Sequence, residues 1–475
     1  MVFSSPIFLF LFLPVTLLLA YLSQRFKWKN TVLLILSVFF YAFGEGEMVI
    51  LMFGSITLNY FVGKWVGRDK GKTAITVGII LNILLLVIFK YANFAIENLN
   101  LMLASFGVSP IQMVHIKLPV GISFYTFHSM SYLIDVYRRQ NQSQKSYIDL
   151  ALYICLFPQL VAGPIIRYKD IAKQIHDRTL GSHRFQLGLE RFIIGLGKKV
   201  IVANSLGSCA DLVFGLDPSQ LTSPSAWFGI ICYSMQLYFD FSAYSDMAIG
   251  LAKMLGFDFL ENFRFPYKSK SIREFWQRWH ISLSNWFRDY LYIPLGGNKV
   301  SPGRVYINLF IVFFLTGLWH GASWNFVVWG LLHGLFMIIE RIGFGKVLEK
   351  LPNPVQHLYT LFVVVIAWVF FRAPDIGHSW NFISSMFGLN NTNNFSIDLF
   401  WNREVGFSFL IGLIMAFDGF NRILRKLYKG IYRSNVKAGR MIFENCKTLF
   451  LLAIFVYAAL TVAAGSYNPF IYFRF

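Results

Sequence analysis

Charge is scarce in this chain. Asp, Glu, Lys and Arg make up 14% of its 475 residues, where a soluble domain carries about a quarter. That scarcity excludes an ordinary soluble enzyme of this length. Acidic residues are the scarcer kind, 24 against 43 Lys and Arg, which leaves a net charge of +19. Cysteine is nearly absent. Cys155, Cys209, Cys232 and Cys446 show no CxxC spacing and lie in or beside apolar segments, so they read as small core residues, not as a disulfide framework or a metal site. No polar, Gly/Ser-rich or Pro-rich linker divides the chain, so residues 1–475 read as a single domain. The common catalytic signatures are also missing: no GxSxG elbow, no HExxH pair and no Walker A loop. Gly195-Leu196-Gly197-Lys198-Lys199 lacks P-loop spacing and is expected to end a loop and open a helix. No Cys/His cluster has metal-ligand spacing, so no metal, ATP hydrolysis or redox cofactor is expected.

What the chain has instead is apolar surface. Hydrophobic residues make up 56% and aromatics 18%, including 51 Phe. Only a lipid-facing bundle uses so much. Twelve candidate spans fall near 3–22, 31–43, 48–64, 74–91, 118–136, 187–208, 224–253, 305–319, 322–340, 355–371, 405–421 and 448–465. The fold expected is therefore all-α and integral to a membrane, with about 11–12 transmembrane helices in contact with lipid. The loops orient it. Arg25, Lys27 and Lys29 follow the first apolar run and no basic residue precedes it, the wrong polarity for a cleaved signal. Alternate loops after that carry the basic clusters, including Arg138 to Lys173, Arg264 to Arg304 and Arg422 to Lys447. The intervening loops hold Glu45, Glu47, Asp211 and the polar stretch 374–404. By the positive-inside rule both chain ends lie outside the cytoplasm. The same rule explains the net charge without invoking nucleic acid.

Two segments depart from simple spans. Residues 148–166 are apolar but broken by Pro158, Gly163 and Pro164, which predicts a re-entrant segment lining a cavity, since irregular backbone at membrane depth needs cover. In the second, Ile272, Phe275, Trp276, Trp279, Leu283, Trp286 and Phe287 recur at steps of three and four. That spacing predicts one helix over 272–287, lying at the cytoplasmic interface.

Nine histidines occur. His128 and His333 sit inside spans, where a hydrogen-bonded structural role is the ordinary reading. His320 sits between two apolar spans in Leu315-Thr316-Gly317-Leu318-Trp319-His320-Gly321-Ala322-Ser323-Trp324-Asn325. An ionisable group at that depth is expensive and reads as functional, although satisfied core histidines are equally common. His280, in Arg278-Trp279-His280-Ile281-Ser282, reads either as a plain interfacial histidine or as a second site residue.

The run from Ser271 through Ser284, continued by Trp286-Phe287-Arg288-Asp289-Tyr290-Leu291-Tyr292-Ile293-Pro294-Leu295-Gly296-Gly297-Asn298, resembles a signature of the membrane-bound O-acyltransferase (MBOAT) family. Trp319-His320-Gly321 resembles its second signature. Pro119 to Phe127, Phe157 to Ile165, Tyr238 to Met247, the opening Met1 to Ser5 and the closing Asn468 to Phe475 are similar to the alginate O-acetyltransferase branch. The likeness covers nearly the whole chain.

That resemblance implies helices, including re-entrant and interfacial ones, arranged around a central tunnel and funnel. It implies cytoplasmic acetyl-CoA as acyl donor, with no permanently bound cofactor. It also implies an extracytoplasmic polysaccharide acceptor, and a periplasmic acetyltransferase or esterase-like partner in a bacterial inner membrane. His320 would act as general base and His280 would assist. Arg264, Lys268, Arg273, Arg278 and Arg288 would meet the CoA phosphates, the rival reading being simple positive-inside placement, and Ser323, Asn325 and backbone N–H groups near Gly321 are candidates for stabilising the oxyanion. Alginate is the leading acceptor. Peptidoglycan acetylation, D-alanyl transfer to teichoic acid and, from another class, secondary transport are the alternatives.

Overall fold

The computed structural model describes residues 1–69, 71–389, 395–419, 422–423, 425–426, 428, 437–465 and 467–469. Eighteen helical segments carry the argument, in chain order. They are α1 (Phe8–Ser23), α3 (Met48–Asp69) and, between them, α2 (Lys29–Glu45), then α4 (Lys72–Ser105), α5 (Ile122–Tyr137), α6 (Tyr147–Cys155), α7 (Phe157–Leu160) and α8 (Tyr168–Asp177). Next come α9 (Ser182–Phe214), α10 (Ser223–Met254), α11 (Ile272–Arg278), α12 (Ile281–Phe287) and α13 (Pro302–His320). The last are α14 (Trp324–Lys350), α15 (Asn353–Arg372), α16 (Ile376–Met386), α17 (Arg403–Ala416) and α18 (Ala438–Ala463). Among the described residues β structure is limited to one isolated bridge, Leu221 to Phe395.

Each of the twelve segments expected to span contains a helix, with residues 420 and 421 of the segment 405–421 lying outside the described residues. Seven of these, α3, α4, α9, α13, α14, α15 and α18, are both long and apolar enough to cross a membrane. The other five are too short or too polar by that measure. The 32-residue α10 is the instructive one. It buries Ser234, Gln236, Asp240, Ser242 and Ser245, so it runs through the protein interior and not along lipid. The lipid-facing helices show the opposite pattern. In α18 and α4 large side chains such as Leu449, Leu452, Leu460, Ile80 and Leu84 are exposed, the surface that hydrocarbon would cover.

Three expectations need correction. The Gly195–Lys199 run does not open a helix: it lies within α9, just before and into a π-turn at Lys198–Ala203. The helix expected over 272–287 is two helices, broken at Trp279 and His280. Its apolar residues are all buried inside the protein, so this segment is not an interfacial helix resting on lipid. The break has a local cause. The Ile281 N–H donates to the Asn262 carbonyl at 3.0 Å and the Arg264 N–H to the Arg278 carbonyl at 2.9 Å. Residues 262–264 thus take over the backbone groups that a continuous helix would have paired internally. The broken segment 148–166 is buried from Asp149 onward, with Ile148 exposed, and its residue Ile165 donates its N–H to Ser282 Oγ at 3.0 Å. Of the closing run, residues 470–475 lie outside the described residues.

Glycine lets helices approach closely. At Gly250 on α10 a Cβ would stand 2.6 Å from the carbonyl oxygen of Gly188 on α9, so the two backbones meet as small residues allow in membrane bundles. The interior divides into two hydrophobic clusters, one holding Trp319 and Trp286, the other Trp279 and Trp329. The candidate site lies where they meet.

Candidate functional site

His280 is fully buried, with left-handed backbone at φ 44°. Its Nδ1 lies 3.2 Å from Asn262 Oδ1. That oxygen also accepts from the Ser282 N–H at 3.1 Å and the Ser282 hydroxyl at 2.8 Å, while Asn262 Nδ2 donates to Ser245 Oγ at 3.1 Å. A backbone N–H can only donate, so the Asn262 oxygen is fixed on the histidine side. His280 Nδ1 must then carry the ring proton, which leaves a lone pair on Nε2. No hydrogen-bond partner meets Nε2 among the described residues.

His320 ends α13 and is 4% exposed. Neither of its ring nitrogens has a hydrogen-bond partner among the described residues. Its ring centroid is 6.5 Å from that of His280, 4.9 Å from Trp319, 4.8 Å from Trp329 and 5.2 Å from Phe371. Two buried imidazoles therefore stand side by side in an aromatic wall with three nitrogens uncommitted, at odds with the usual satisfaction of buried polar atoms.

Two clefts approach this pair. The first, of about 320 Å³, is lined by Arg191, Lys198, Ser245, Asp246, Asn262 and Arg264, among others. It reaches the pair through Asn262, the partner of His280. The second, of about 210 Å³, is lined by residues including Asp211, Gln236, Ser323, Asn325, Phe371 and Arg372. It reaches His320 through the Phe371 ring. Residues 198 and 211 of α9 line different clefts, and thirteen residues of helix separate them by about 20 Å. The clefts thus open at opposite ends of the helix bundle.

The remaining expected residues fall around this axis. Ser323 Oγ caps α14 by accepting the Asn325 N–H at 3.3 Å, and Asn325 Nδ2 donates to the Ala373 carbonyl at 2.8 Å. Both line the second cleft. Of the basic residues expected, Arg264 lines the first cleft, whereas Lys268, Arg273, Arg278 and Arg288 do not. Arg273 is exposed, and its backbone N–H donates to Glu340 at 3.0 Å. Arg278 pairs with Glu274 at 2.7 Å and Arg288 with Asp289 at 2.7 Å. Asp289 lies outside the spans. Burial pushes its carboxyl up, but Arg288, Arg167 and Lys169 outweigh this and hold it below the usual carboxylate range. The basic side chains that do line the first cleft are Arg191, Lys198 and Arg264.

Sequence reasoning passed over Asn262 and Lys90. Asn262 has no local signal, because its partners are 17 to 20 residues away. Lys90 had one: a lysine within the apolar run ending α4's first half, where an ionisable side chain is costly.

Comparison with known proteins settles the family. The model for "MBOAT, membrane-bound O-acyltransferase family" matches residues 35–376. The chain belongs to that family. It is accordingly a multi-pass membrane protein and an acyltransferase. Among its relatives, a probable alginate O-acetylase of Pseudomonas aeruginosa is 40% identical, with both chains covered in full. A peptidoglycan O-acetyltransferase of Helicobacter pylori is 37% identical over 83% of this chain and 81% of its own length. A teichoic acid D-alanyltransferase of Bacillus subtilis is 29% identical over 53% of this chain and 66% of its own. Both signature histidines of this MBOAT chain fall inside the matched region.

Proposed function

We propose that this MBOAT protein takes acetyl from cytoplasmic acetyl-CoA and delivers it across the inner membrane. The acetyl would go to an extracytoplasmic polysaccharide, alginate, with the help of a separate periplasmic partner. The observation that carries the proposal is the buried His280–His320 pair between two clefts at opposite ends of the bundle. A catalyst that accepts its donor from one side of a membrane and its acceptor from the other needs that arrangement.

The orientation follows from the loop charges together with the chain ends. Ser4 Oγ donates to Asn468 Oδ1 at 3.3 Å, and the Tyr467 hydroxyl bonds Asp211. Tyr467 thus sits at the second cleft, while Asn468 reaches Asn204 and the Pro469 carbonyl accepts from Lys199 deeper along α9; with the loop charges this supports taking the second cleft as the periplasmic one. The first cleft faces the cytoplasm; there Arg191 and Lys198 are paired with Asp246 and Glu261, and Arg264 is the lining basic side chain placed to meet the phosphates of CoA. Arg273, Arg278 and Arg288 add positive potential outside that cleft.

In the chemical step the acceptor hydroxyl oxygen bonds to the thioester carbonyl carbon as His320 takes the hydroxyl proton. The C–S bond then breaks and the proton passes to sulfur, so CoA leaves as the thiol. Base catalysis of this kind contributes about 10²–10⁴-fold. His280 offers the lone pair of Nε2 beside it and orients the reacting groups. The Ser323 hydroxyl hydrogen can serve the oxyanion, together with backbone N–H groups near Gly321. The Asn325 amide can join them through its second N–H while keeping Ala373.

The test is CoA release from acetyl-CoA by purified protein in nanodiscs, with a membrane extract and periplasmic fraction supplied. Wild type should turn over, and His320→Ala should lose at least about 10²-fold while remaining folded. No release by wild type under these conditions would remove the proposal's main support.

A further inference from the structure

The second cleft is lined by two buried amides with oxygens that bind nothing in the protein. Gln236, midway along α10, is 3% exposed and lines the cleft. Its Oε1 is buried without a hydrogen-bond partner among the described residues. Asn325, in the first turn of α14, is 2% exposed and lines the same cleft. Its Nδ2 donates to the Ala373 carbonyl at 2.8 Å. A carbonyl can only accept, so the amide is fixed with Oδ1 left over, and that oxygen too is buried and unpartnered. The Gln236 amide is also confined. A Cβ at Gly207 of α9 would stand 2.5 Å from its Nε2, so glycine there makes the room in which the amide lies.

Buried amide oxygens without partners destabilise a protein, and an apolar side chain of similar size would not carry that cost. Both atoms are acceptors, so what each lacks is a donor, and a cleft of about 210 Å³ that both line puts them within reach of one ligand. Much of the remaining lining is aromatic, with Tyr233, Phe326 and Phe371. Aromatic walls with a few placed amides make a small-molecule site. Phe371 joins this cleft to the chemistry, because its ring centroid is 5.2 Å from that of His320. The number of free acceptors decides the ligand class. The reacting hydroxyl gives its proton to His320 and needs neither amide. Two amide oxygens then remain for hydroxyls beside the reacting one. A sugar ring carries such neighbours, whereas a serine or tyrosine side chain of a partner protein carries a single hydroxyl.

We infer that Gln236 and Asn325 form an acceptor subsite, each accepting a hydrogen bond from a sugar hydroxyl that neighbours the one to be acetylated. This rests on the acyl-transfer reading above and adds a specificity to it: the cleft selects a ring whose neighbouring hydroxyls are free. Neither amide ionises, so the selection does not depend on the protonation of the histidine pair.

Gln236→Leu removes the amide and keeps most of its bulk. The protein is melted in nanodiscs, without acetyl-CoA, over a series of concentrations of unacetylated alginate oligomers. Wild type should be stabilised as the oligomers bind. Without oligomer, Gln236→Leu should melt at or above the wild-type temperature, since an unpaired buried amide has gone. It should need about tenfold more oligomer for the same rise, the weight of one hydrogen bond. Oligomers with methylated hydroxyls cannot donate and should not protect wild type. A purely structural Gln236 would give the reverse pattern, a lower melting temperature with an unchanged oligomer dependence. If Gln236→Leu fails to fold, Gly207→Ala is melted in its place, because its methyl displaces the same amide. Equal oligomer dependence in wild type and variant, protection by the methylated oligomers, or no protection at all, as when a partner protein supplies the hydroxyl, would overturn the inference. CoA release tests the acyl-transfer reading separately: protection without release would leave the subsite and remove the reaction.

Discussion

His280 and His320 differ in what holds them. His320 ends a long helix whose final carbonyls are tied by residues from α4. His280 sits in the gap between two short helices, in a left-handed conformation that costs a non-glycine residue roughly 1–2 kcal/mol. That cost is met by Asn262, whose Oδ1 serves the His280 ring and both donors of Ser282, and whose carbonyl takes the Ile281 N–H. Asn262→Ala removes the side-chain acceptor and leaves the Ser282 N–H and the ring N–H short of it. The expected outcome is CoA release reduced by about 10²-fold, as for a group displaced by roughly 1 Å, with a melting temperature lowered by only a few degrees. A variant that melts lower but turns over at the wild-type rate would show that the orientation of His280 does not matter to the reaction. The histidines were legible in the sequence because signature runs surround them. Asn262 was not, because it acts on residues 17 to 20 positions along the chain, and one sequence does not reveal such pairings; Lys90 was marked by its place in an apolar span, but its partner Trp319 was not.

At the scale of elements the same division holds between what periodicity records and what tertiary contacts decide. The three-and-four spacing over 272–287 correctly identified which side chains turn inward. It could not reveal that residues 262–264 would interrupt the helix, nor that protein and not lipid would cover it. The twelve apolar runs each mark a helix, yet α10 escapes the hydropathy measure because its buried serines, Gln236 and Asp240 face other helices. Asp240 pairs there with Lys199 of α9 at 2.8 Å. α9 and α10 together carry both clefts, so their contact sets the geometry of the site. Gly250→Leu tests this. Its Cβ would press on the Gly188 carbonyl and on the Phe192 N and Cβ, forcing the helices apart at a cost of about 1–3 kcal/mol. The variant should unfold at a lower temperature in nanodiscs, and what remains folded should release CoA more slowly, since Ser245 and Asn262 shift with α10. Unchanged stability would mean that the α9–α10 contact has slack to give.

The molecule as a whole has an axis, and several independent contacts define its two ends. At one, Glu190 of α9 pairs with Lys447 of α18 at 2.7 Å, beside Arg191 and the first cleft. At the other, Asp211 meets Arg372 at 2.7 Å and the Tyr467 hydroxyl, at the second cleft. The expected orientation puts the first end in the cytoplasm, where acetyl-CoA is found. Cysteine supplies a native reporter. Cys155, Cys209 and Cys232 are buried, whereas Cys446 is exposed and adjoins Lys447 at the first end. A membrane-impermeant maleimide should therefore label the native chain at Cys446 in inside-out vesicles, leave it unlabelled in right-side-out spheroplasts, and give no label in Cys446→Ser. Labelling from the outer surface would reverse the axis. The cleft with Arg191, Lys198 and Arg264 would then face away from the CoA pool, and the buried histidine pair would have to receive its acyl donor through the cleft that holds Ser323 and Asn325. The placement of one thiol thus decides which cleft admits the donor, and with it the direction in which the acyl group crosses the membrane.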